Sequence, residues 1–164
     1  MAVVFLVCSA IGLFKSAELS KRVRQLEALK GSINLIATEI RYFASPVEVI
    51  MKKLNLLDEY AQLKIFGLCE CELAMRHDFS KAWSDSICDA KSQLALNKGD
   101  LETLIWFGTM LGATDIEGQI ANCERYGELL SQRLDRARED KAKRGKMYSS
   151  LGILAGAFFT VILF

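Results

Sequence analysis

Two cysteines and a histidine near the middle of the chain have side chains that can bind zinc. They are Cys69, Cys71 and His77, and thiolate and imidazole groups are common zinc ligands. Residues two positions apart on a helix point to different faces, and no second Cys or His pair follows at ligand spacing. We therefore expect ordinary buried or half-buried thiols and no metal site. A membrane-anchored metal-binding sensor or enzyme that uses these three residues is the alternative hypothesis.

Two other residue patterns that could form a functional site, a catalytic dyad and a phosphate-binding loop, each lack a residue that the chemistry requires. His77 precedes Asp78, but a catalytic dyad also needs a nucleophile in the same pocket. Gly108 and Gly112 are accompanied by neither a Gly-Lys-Ser/Thr element nor a preceding strand, so a phosphate loop is not indicated. We predict no catalytic residue and no cofactor, and the protein is not expected to be an enzyme.

The residues around Gly112 instead predict the end of one helix and the start of the next. Gly112 permits a left-handed backbone, and Thr114 with Glu117 has the spacing of a capping box. Asp115 adds a favourable negative charge at the helix N-terminus. This turn is also a candidate interface. The candidate residues are Gly108, Leu111, Gly112, Thr114, Asp115 and Gln119.

Charge is unevenly distributed along the chain. The net charge is +1, with Lys and Arg in excess at 15–24 and 125–146 and Asp and Glu in excess at 25–124. The total does not indicate a nucleic-acid partner. The acidic middle forms either a solvated face or a docking face for a basic partner, whose association would weaken as salt rises. The candidate docking residues are Glu70, Glu72, Asp78, Asp85 and Asp89.

The two ends of the chain are uncharged and apolar. The chain has 164 residues, 51% hydrophobic and 25% charged, and all its charged side chains lie within residues 15–146. As a helix, 147–164 would span about 27 Å and 1–14 about 21 Å, against a bilayer core of ~30 Å. We predict transmembrane helices at 1–14 and 147–164 and a helical domain at 15–146. Basic residues follow the first membrane helix and precede the second, so both basic flanks belong to the helical domain. Because basic flanks stay on the cytoplasmic side, we predict that this domain is cytoplasmic. Membrane-surface binding through the flanks alone is a third hypothesis.

Apolar periodicity predicts six helices between these ends. Ser45 and Glu48, with Pro46 between them, predict a capping box for the second helix, and Asp100 predicts the cap of the fifth. We expect an all-α, six-helix antiparallel bundle whose long first and last helices pair and continue into the membrane. The predicted core residues are Leu19, Val23, Leu26, Leu29, Ile33, Ile36, Ile40 and Phe43; Val47, Ile50, Met51 and Leu54; Tyr60, Leu63, Ile65, Phe66, Cys69 and Leu73; Trp83, Ile87, Ala90 and Leu94; Leu101, Leu104, Ile105 and Leu111; and Ile116, Ile120, Cys123, Gly127, Leu130, Leu134 and Ala137.

Several short motifs, in order, resemble the stage III sporulation protein AB family of endospore-forming bacteria. They are Arg24-Gln25-Leu26 with Leu29, Glu39-Ile40-Arg41-Tyr42, Ser45-Pro46-Val47, Phe107-Gly108, Leu111-Gly112-Ala113-Thr114-Asp115 with Gln119, and Lys146-Met147-Tyr148-Ser149-Ser150-Leu151-Gly152. The chain departs from the family at Phe43, where a small residue is common, and at Thr114, where Ser is common. Residues 56–98 carry little family signal.

The resemblance implies a fold similar to the cytoplasmic bundle of the inner-membrane platform proteins of type II secretion and type IV pilus machines. It implies a multi-pass protein of the cell membrane, on the mother-cell side of the outer forespore membrane, in the complex that links mother cell and forespore. The implied partners are the stage III sporulation protein AA ATPase, other membrane proteins of that complex and the lipid bilayer. Association of the chain with copies of itself is a further hypothesis.

Overall fold

The computed structural model describes residues 2–75, 78–145 and 147, and the side chains of these from residue 10 onward. In these ranges the chain is all helical, with six α-helices and no strand. The α-helices are α1 Ala2–Phe43, α2 Val47–Asn55, α3 Ile65–Met75, α4 Phe79–Ala90, α5 Lys98–Met110 and α6 Ile116–Asp140. Short 3-10 turns cover Asp58–Tyr60 and Lys91–Gln93, and a π turn covers Lys141–Gly145. The predicted all-α class with six helices is confirmed.

Of the two predicted membrane helices, the structure describes most of the first and only one residue of the second. Residues 2–14 form the beginning of α1, whereas 147–164 lies outside the described residues except for Met147. In the part of the chain that the structure describes, no helix combines the length and apolarity that a membrane span requires.

The chain divides into two compact units. One unit comprises Met1–Arg24 and Leu134–Phe164, and the other comprises Gln25–Arg133. In the first, Val23, Leu134 and Ala137 are buried, and Arg22 lies 3.7 Å from Asp140. The start of α1 and the end of α6 thus pack together within this unit.

The second unit is built around α1. The helix buries one stripe of side chains at a spacing of three and four residues, because this spacing returns to the same helix face. These are Leu26, Leu29, Ile33, Ile36 and Ile40. From α6, Cys123 and Leu130 are buried, and Lys30 donates to Ser131 at 3.1 Å between the two helices. The predicted pairing of the long helices is therefore present in this unit.

Trp83 of α4 lies at the centre of the remaining helices. Its side chain is 1% exposed, and its Nε1 donates to the Leu104 carbonyl at 2.7 Å. Its ring contacts Phe66 of α3, Phe79 of α4 and Phe107 of α5. A single indole therefore ties three helices together and has its polar atom satisfied, as a buried tryptophan requires.

Several predicted core residues and helix boundaries were wrong. Phe43 is 68% exposed and Ile116 is 48% exposed, because each lies at a helix end beyond the last packed turn. Tyr60 and Leu63 are buried but precede α3, which begins after Lys64 adopts φ +57°. Leu94 follows α4 because the helix tightens into the 3-10 turn after Ala90.

The cap of α2 also differs from the prediction. Pro46 occupies the N-cap position and no side chain caps the helix. Ser45 instead donates to Glu39 Oε2 at 3.1 Å, and Lys53 Nζ donates to Glu39 Oε1 at 2.5 Å. Glu39 is 5% exposed, and a buried carboxylate needs such partners. The Ser45 hydroxyl therefore bonds to the buried Glu39 carboxylate instead of capping α2.

Glu39 is expected to make the protein sensitive to acid. The hydrogen bond from Lys53 lowers the pKa of Glu39 below its ordinary value of 4.5, although burial opposes this shift. A lowered folded-state pKa gives a stabilisation that is complete above the unfolded pKa and is lost as pH falls through the folded pKa. As pH falls from about 6 to about 3, the melting temperature of Glu39→Gln should therefore drop by less than that of the unchanged protein, as measured by circular dichroism. Glu48→Gln, an exposed control on α2, should keep the full loss; an equal loss in both variants would contradict this role of Glu39.

Candidate functional site

The turn between α5 and α6 is fastened by one side chain. Gly112 has φ +78°, the left-handed conformation that the sequence predicted. Gln119 Oε1 accepts from Gly112 N at 3.3 Å, and its Nε2 donates to the Thr114 carbonyl at 2.9 Å. Gln119 thus spans the turn and satisfies a donor and an acceptor that the helix ends leave open.

Asp115, and not Thr114, caps α6. Asp115 Oδ1 accepts from Gly118 N at 2.9 Å, and the Asp115 carbonyl accepts from Gln119 N at 2.9 Å. The predicted capping box of Thr114 and Glu117 is wrong by one residue, because α6 begins at Ile116. Asp115 consequently supplies both the cap and the favourable charge at the helix N-terminus.

This assignment predicts different costs for two neighbouring substitutions. Asp115→Ala should lower the free energy of unfolding by about 1 kcal/mol, the usual cost of a lost N-cap. Thr114→Ala should change it by only a few tenths of a kcal/mol, because the exposed Thr114 hydroxyl makes only a long contact with the Asp115 carbonyl, at 3.5 Å. Urea unfolding of both variants measures the difference. A larger loss of unfolding free energy for Thr114→Ala than for Asp115→Ala would contradict this assignment and indicate that Thr114 is the cap.

The two remaining residues of the candidate turn are packing residues. Leu111 is 3% exposed and Gly108 is buried. A Cβ on Gly108 would overlap the Trp83 ring, 2.5 Å from Cγ and 2.6 Å from Nε1. A Cβ on Gly112 would lie 3.6 Å from Val47 Cγ2, which places the turn beside the start of α2. Of the candidate residues, Thr114 and Asp115 have exposed side chains and Gln119 is half-buried.

Large apolar side chains near this turn are exposed and were missed by the sequence analysis. Trp106 and Met110 of α5 are 63% and 45% exposed, and Ile116 is 48% exposed. Trp106 and Met110 are four residues apart and share a helix face. The signal was present in the sequence, because Trp106 is out of register with Leu104 and Phe107 on the packed face of α5.

The predicted acidic docking residues do not share one helix face. Asp85 and Asp89 are four residues apart and lie on one side of α4, together with the exposed Lys81, and Asp78 directly precedes the helix. Asp78 also caps α4 by accepting from Ser80 N at 3.2 Å. On α3, Glu70 accepts from Asn55 of α2 at 2.9 Å, whereas Glu72 is two residues further round the helix. The acidic docking face of Glu70, Glu72, Asp78, Asp85 and Asp89 remains a prediction.

The thiols predicted as possible zinc ligands do not converge. Cys69 is buried and Cys71 is exposed, while His77 lies outside the described residues. Among the described residues, no group of three or more His, Cys, Asp or Glu side chains could hold a metal ion. Burial raises the pKa of Cys69 to about 12, and burial likewise raises the pKa of Cys123 to about 12. Both thiols are therefore protonated at neutral pH and poor nucleophiles.

The candidate site thus comprises two surface features, the α5–α6 turn and the acidic residues that include Glu70 and Asp89. The sequence profile of the Stage III sporulation protein AB family matches residues 1–164. The chain belongs to this family. It is 27% identical, over 149 residues, to the Stage III sporulation protein AB of Bacillus subtilis (strain 168), a match that covers 88% of this chain and 85% of the relative.

A solved structure of a family member has the same fold. The structure of Stage III sporulation protein AB (SpoIIIAB) superposes with a TM-score of 0.67 at 22% identity, covering 75% of this chain and 98% of the other. The family resemblance seen in the sequence is confirmed, and the chain has a role in stage III of sporulation.

Proposed function

We propose that the protein is a non-enzymatic membrane platform of the sporulation complex between mother cell and forespore, and that it docks the stage III sporulation protein AA ATPase. The family match over the whole chain is the observation that carries this proposal. In it, residues 1–14 and 147–164 anchor the protein in the cell membrane, on the mother-cell side of the outer forespore membrane. The helical domain faces the cytoplasm and scaffolds the ATPase and the other membrane proteins of the complex.

Two features of the described residues support a scaffolding role. Within the unit Gln25–Arg133, α1 and α6 are joined by buried side chains such as Leu29 and Leu130 and by the hydrogen bond from Lys30 to Ser131 at 3.1 Å, which suits a support for a partner. The α5–α6 turn and the acidic side of α4 provide exposed polar groups for a partner.

Binding of the ATPase to the full-length chain tests this proposal. The chain is reconstituted in nanodiscs of zwitterionic lipid, and the ATPase from the same organism is titrated in with and without nucleotide. We expect saturable binding that weakens as salt rises, since an acidic docking face attracts a basic partner. A folded, reconstituted chain that does not bind the ATPase in either state would overturn the proposed function.

Charge reversal locates the docking face. Asp89 is exposed on α4 and Glu128 is exposed on α6, so Asp89→Lys and Glu128→Lys make the same change of charge at two sites. We expect Asp89→Lys to weaken ATPase binding and to reduce its salt dependence, while Glu128→Lys binds as the unchanged chain does. Equal effects of the two variants would mean that only the total charge matters.

A further inference from the structure

In the first of the two compact units, the start of α1 meets the segment that follows α6 at the point where charged sequence ends. Gly145 is buried, and a Cβ on it would lie 3.5 Å from Ser16 Oγ. Lys15, next to Ser16, is the first charged residue of the chain, and Lys146, next to Gly145, is the last. The contact of Gly145 with Ser16 therefore sets the boundary between charged and apolar sequence at one level for both segments.

On one side of this boundary, α1 exposes large apolar side chains. Ile11, Leu13 and Phe14 are 59%, 56% and 67% exposed. Met147, the described residue of the other segment on this side, is 46% exposed. Single exposed apolar residues are normal, but a contiguous apolar patch marks a surface that a partner or a membrane covers. In the proposed function, lipid covers this part of the chain.

On the other side of the boundary, positive charge is in excess. Residues 10–24 and 134–145 carry nine Lys and Arg against four Asp and Glu, and no acidic residue follows Asp140. The ion pairs beside the boundary are Lys15–Glu18 at 3.1 Å, Lys143–Glu139 at 3.5 Å and Arg144–Asp140 at 3.3 Å. These pairs are exposed and weak, because water screens them. The cations therefore outnumber the carboxylates that could neutralise them.

Lys141 is a cation that these ion pairs do not use. It begins the π turn Lys141–Gly145 and is exposed, and among the described residues no carboxylate pairs with it. It lies four residues before Gly145, about 6 Å along a helix axis, and its flexible stem carries a compact charge. We call the exposed cations Lys15, Lys141, Lys143 and Arg144 the basic collar.

We propose that the basic collar binds the phosphate groups of acidic phospholipids at the membrane surface. The inference rests on the membrane anchoring in the proposed function and goes beyond it by naming a lipid class. Basic residues beside a membrane are attracted to anionic headgroups, and this attraction falls off within a Debye length. A zwitterionic headgroup has no net charge and gains less. The collar stands directly beside the apolar side chains of α1, where such headgroups lie.

Electron paramagnetic resonance of spin-labelled lipids tests this proposal on the full-length chain. The chain is reconstituted in phosphatidylcholine vesicles that contain a trace of spin-labelled phosphatidylglycerol or of spin-labelled phosphatidylcholine. The spectra give the association constant of each lipid with the protein. We expect the constant for phosphatidylglycerol to exceed that for phosphatidylcholine by at least about twofold, and the ratio to fall as salt rises. Equal constants at low salt would overturn the inference.

A matched pair of substitutions locates the lipid contact. Lys141→Gln and Arg136→Gln each remove one positive charge from an exposed position, and no described carboxylate pairs with either residue. Arg136 lies nine residues before Gly145, about 14 Å along the axis, which exceeds the Debye length of about 8 Å at physiological salt. We expect Lys141→Gln to lower the lipid ratio by at least about twofold and Lys141→Arg to restore it, while Arg136→Gln leaves it unchanged. Equal effects of Lys141→Gln and Arg136→Gln would overturn the collar as the binding site.

Flotation separates failure of this inference from failure of the proposed function. A full-length chain that does not float with phosphatidylcholine vesicles would overturn the membrane anchoring and the lipid site together. A chain that floats and yet does not distinguish the two lipids would overturn the lipid site alone. Docking of the ATPase is measured in zwitterionic nanodiscs, which contain no acidic lipid, so its result does not depend on the basic collar.

Discussion

Gly108→Ala is expected to destabilise the protein by about 3 kcal/mol, the upper part of the usual range for an overpacked core. The added Cβ would overlap the Trp83 ring, and the ring cannot move aside freely. Its Nε1 is held by the Leu104 carbonyl at 2.7 Å, and three aromatic rings surround it. Either that hydrogen bond or the α4–α5 packing must be lost. Chemical unfolding of the full-length chain, followed by tryptophan fluorescence and by circular dichroism, measures the cost.

Gly127→Ala is the control for this prediction. Both glycines are buried in α-helices, but a Cβ on Gly127 would meet only Asn34 Oδ1, at 4.0 Å. Alanine is favoured over glycine in a helix by roughly 0.5–1 kcal/mol, so Gly127→Ala should raise the free energy of unfolding by about that amount. The same substitution thus changes sign with its surroundings. A stabilising Gly108→Ala would mean that Trp83 is not held as described.

Asp100→Ala is expected to have a comparably large effect, a loss of about 3 kcal/mol in the free energy of unfolding. Asp100 is 0% exposed, and it completes a capping box in which Asn97 Oδ1 accepts from Asp100 N at 2.8 Å and Asp100 Oδ2 accepts from Asn97 N at 3.0 Å. Its Oδ1 also lies 3.5 Å from Arg133 Nη1 of α6. Removing one partner of a buried pair leaves the other charge poorly compensated, at a typical cost of 3–5 kcal/mol. Because Arg133 is only half-buried, water can still solvate its charge, and we expect a cost at the lower end of this range.

Glu102→Ala provides the comparison, two residues further along α5. Glu102 pairs with Lys98 at 3.8 Å with both side chains exposed, and exposed pairs contribute little because water screens them. We expect no measurable change in the urea midpoint for Glu102→Ala. If Asp100→Ala unfolded at the same urea concentration as Glu102→Ala, burial of the Asp100 carboxylate would not matter for stability.

The sequence predicted features that depend on local periodicity. The stripe from Leu26 to Ile40 was confirmed because one helix face repeats every 3.6 residues whatever its neighbours are. Gly112 was predicted correctly because a left-handed residue favours glycine strongly. The stripe was extended too far, to Phe43, because Ala44 is not a turn signal and yet adopts φ +46°.

Features that depend on contacts between distant residues could not be predicted. Asn97 and Asp100 are both good caps, and only the geometry shows that Asn97 is the N-cap and Asp100 its third-position partner. Gln119 fastens the turn by reaching back seven residues to Gly112, a distance that no short motif records.

The buried thiols make internal reporters of motion in the assembled protein. Cys69 and Cys123 are inaccessible, whereas Cys71 and Cys88 are exposed. Alkylation of Cys69 or Cys123 therefore requires local opening of α3 or α6, and its rate measures how often each helix separates from its neighbours. The exposed thiols react without such opening and calibrate the reagent. Comparing these rates before and after a partner binds would show which helix the partner rigidifies, using cysteines that the chain already has.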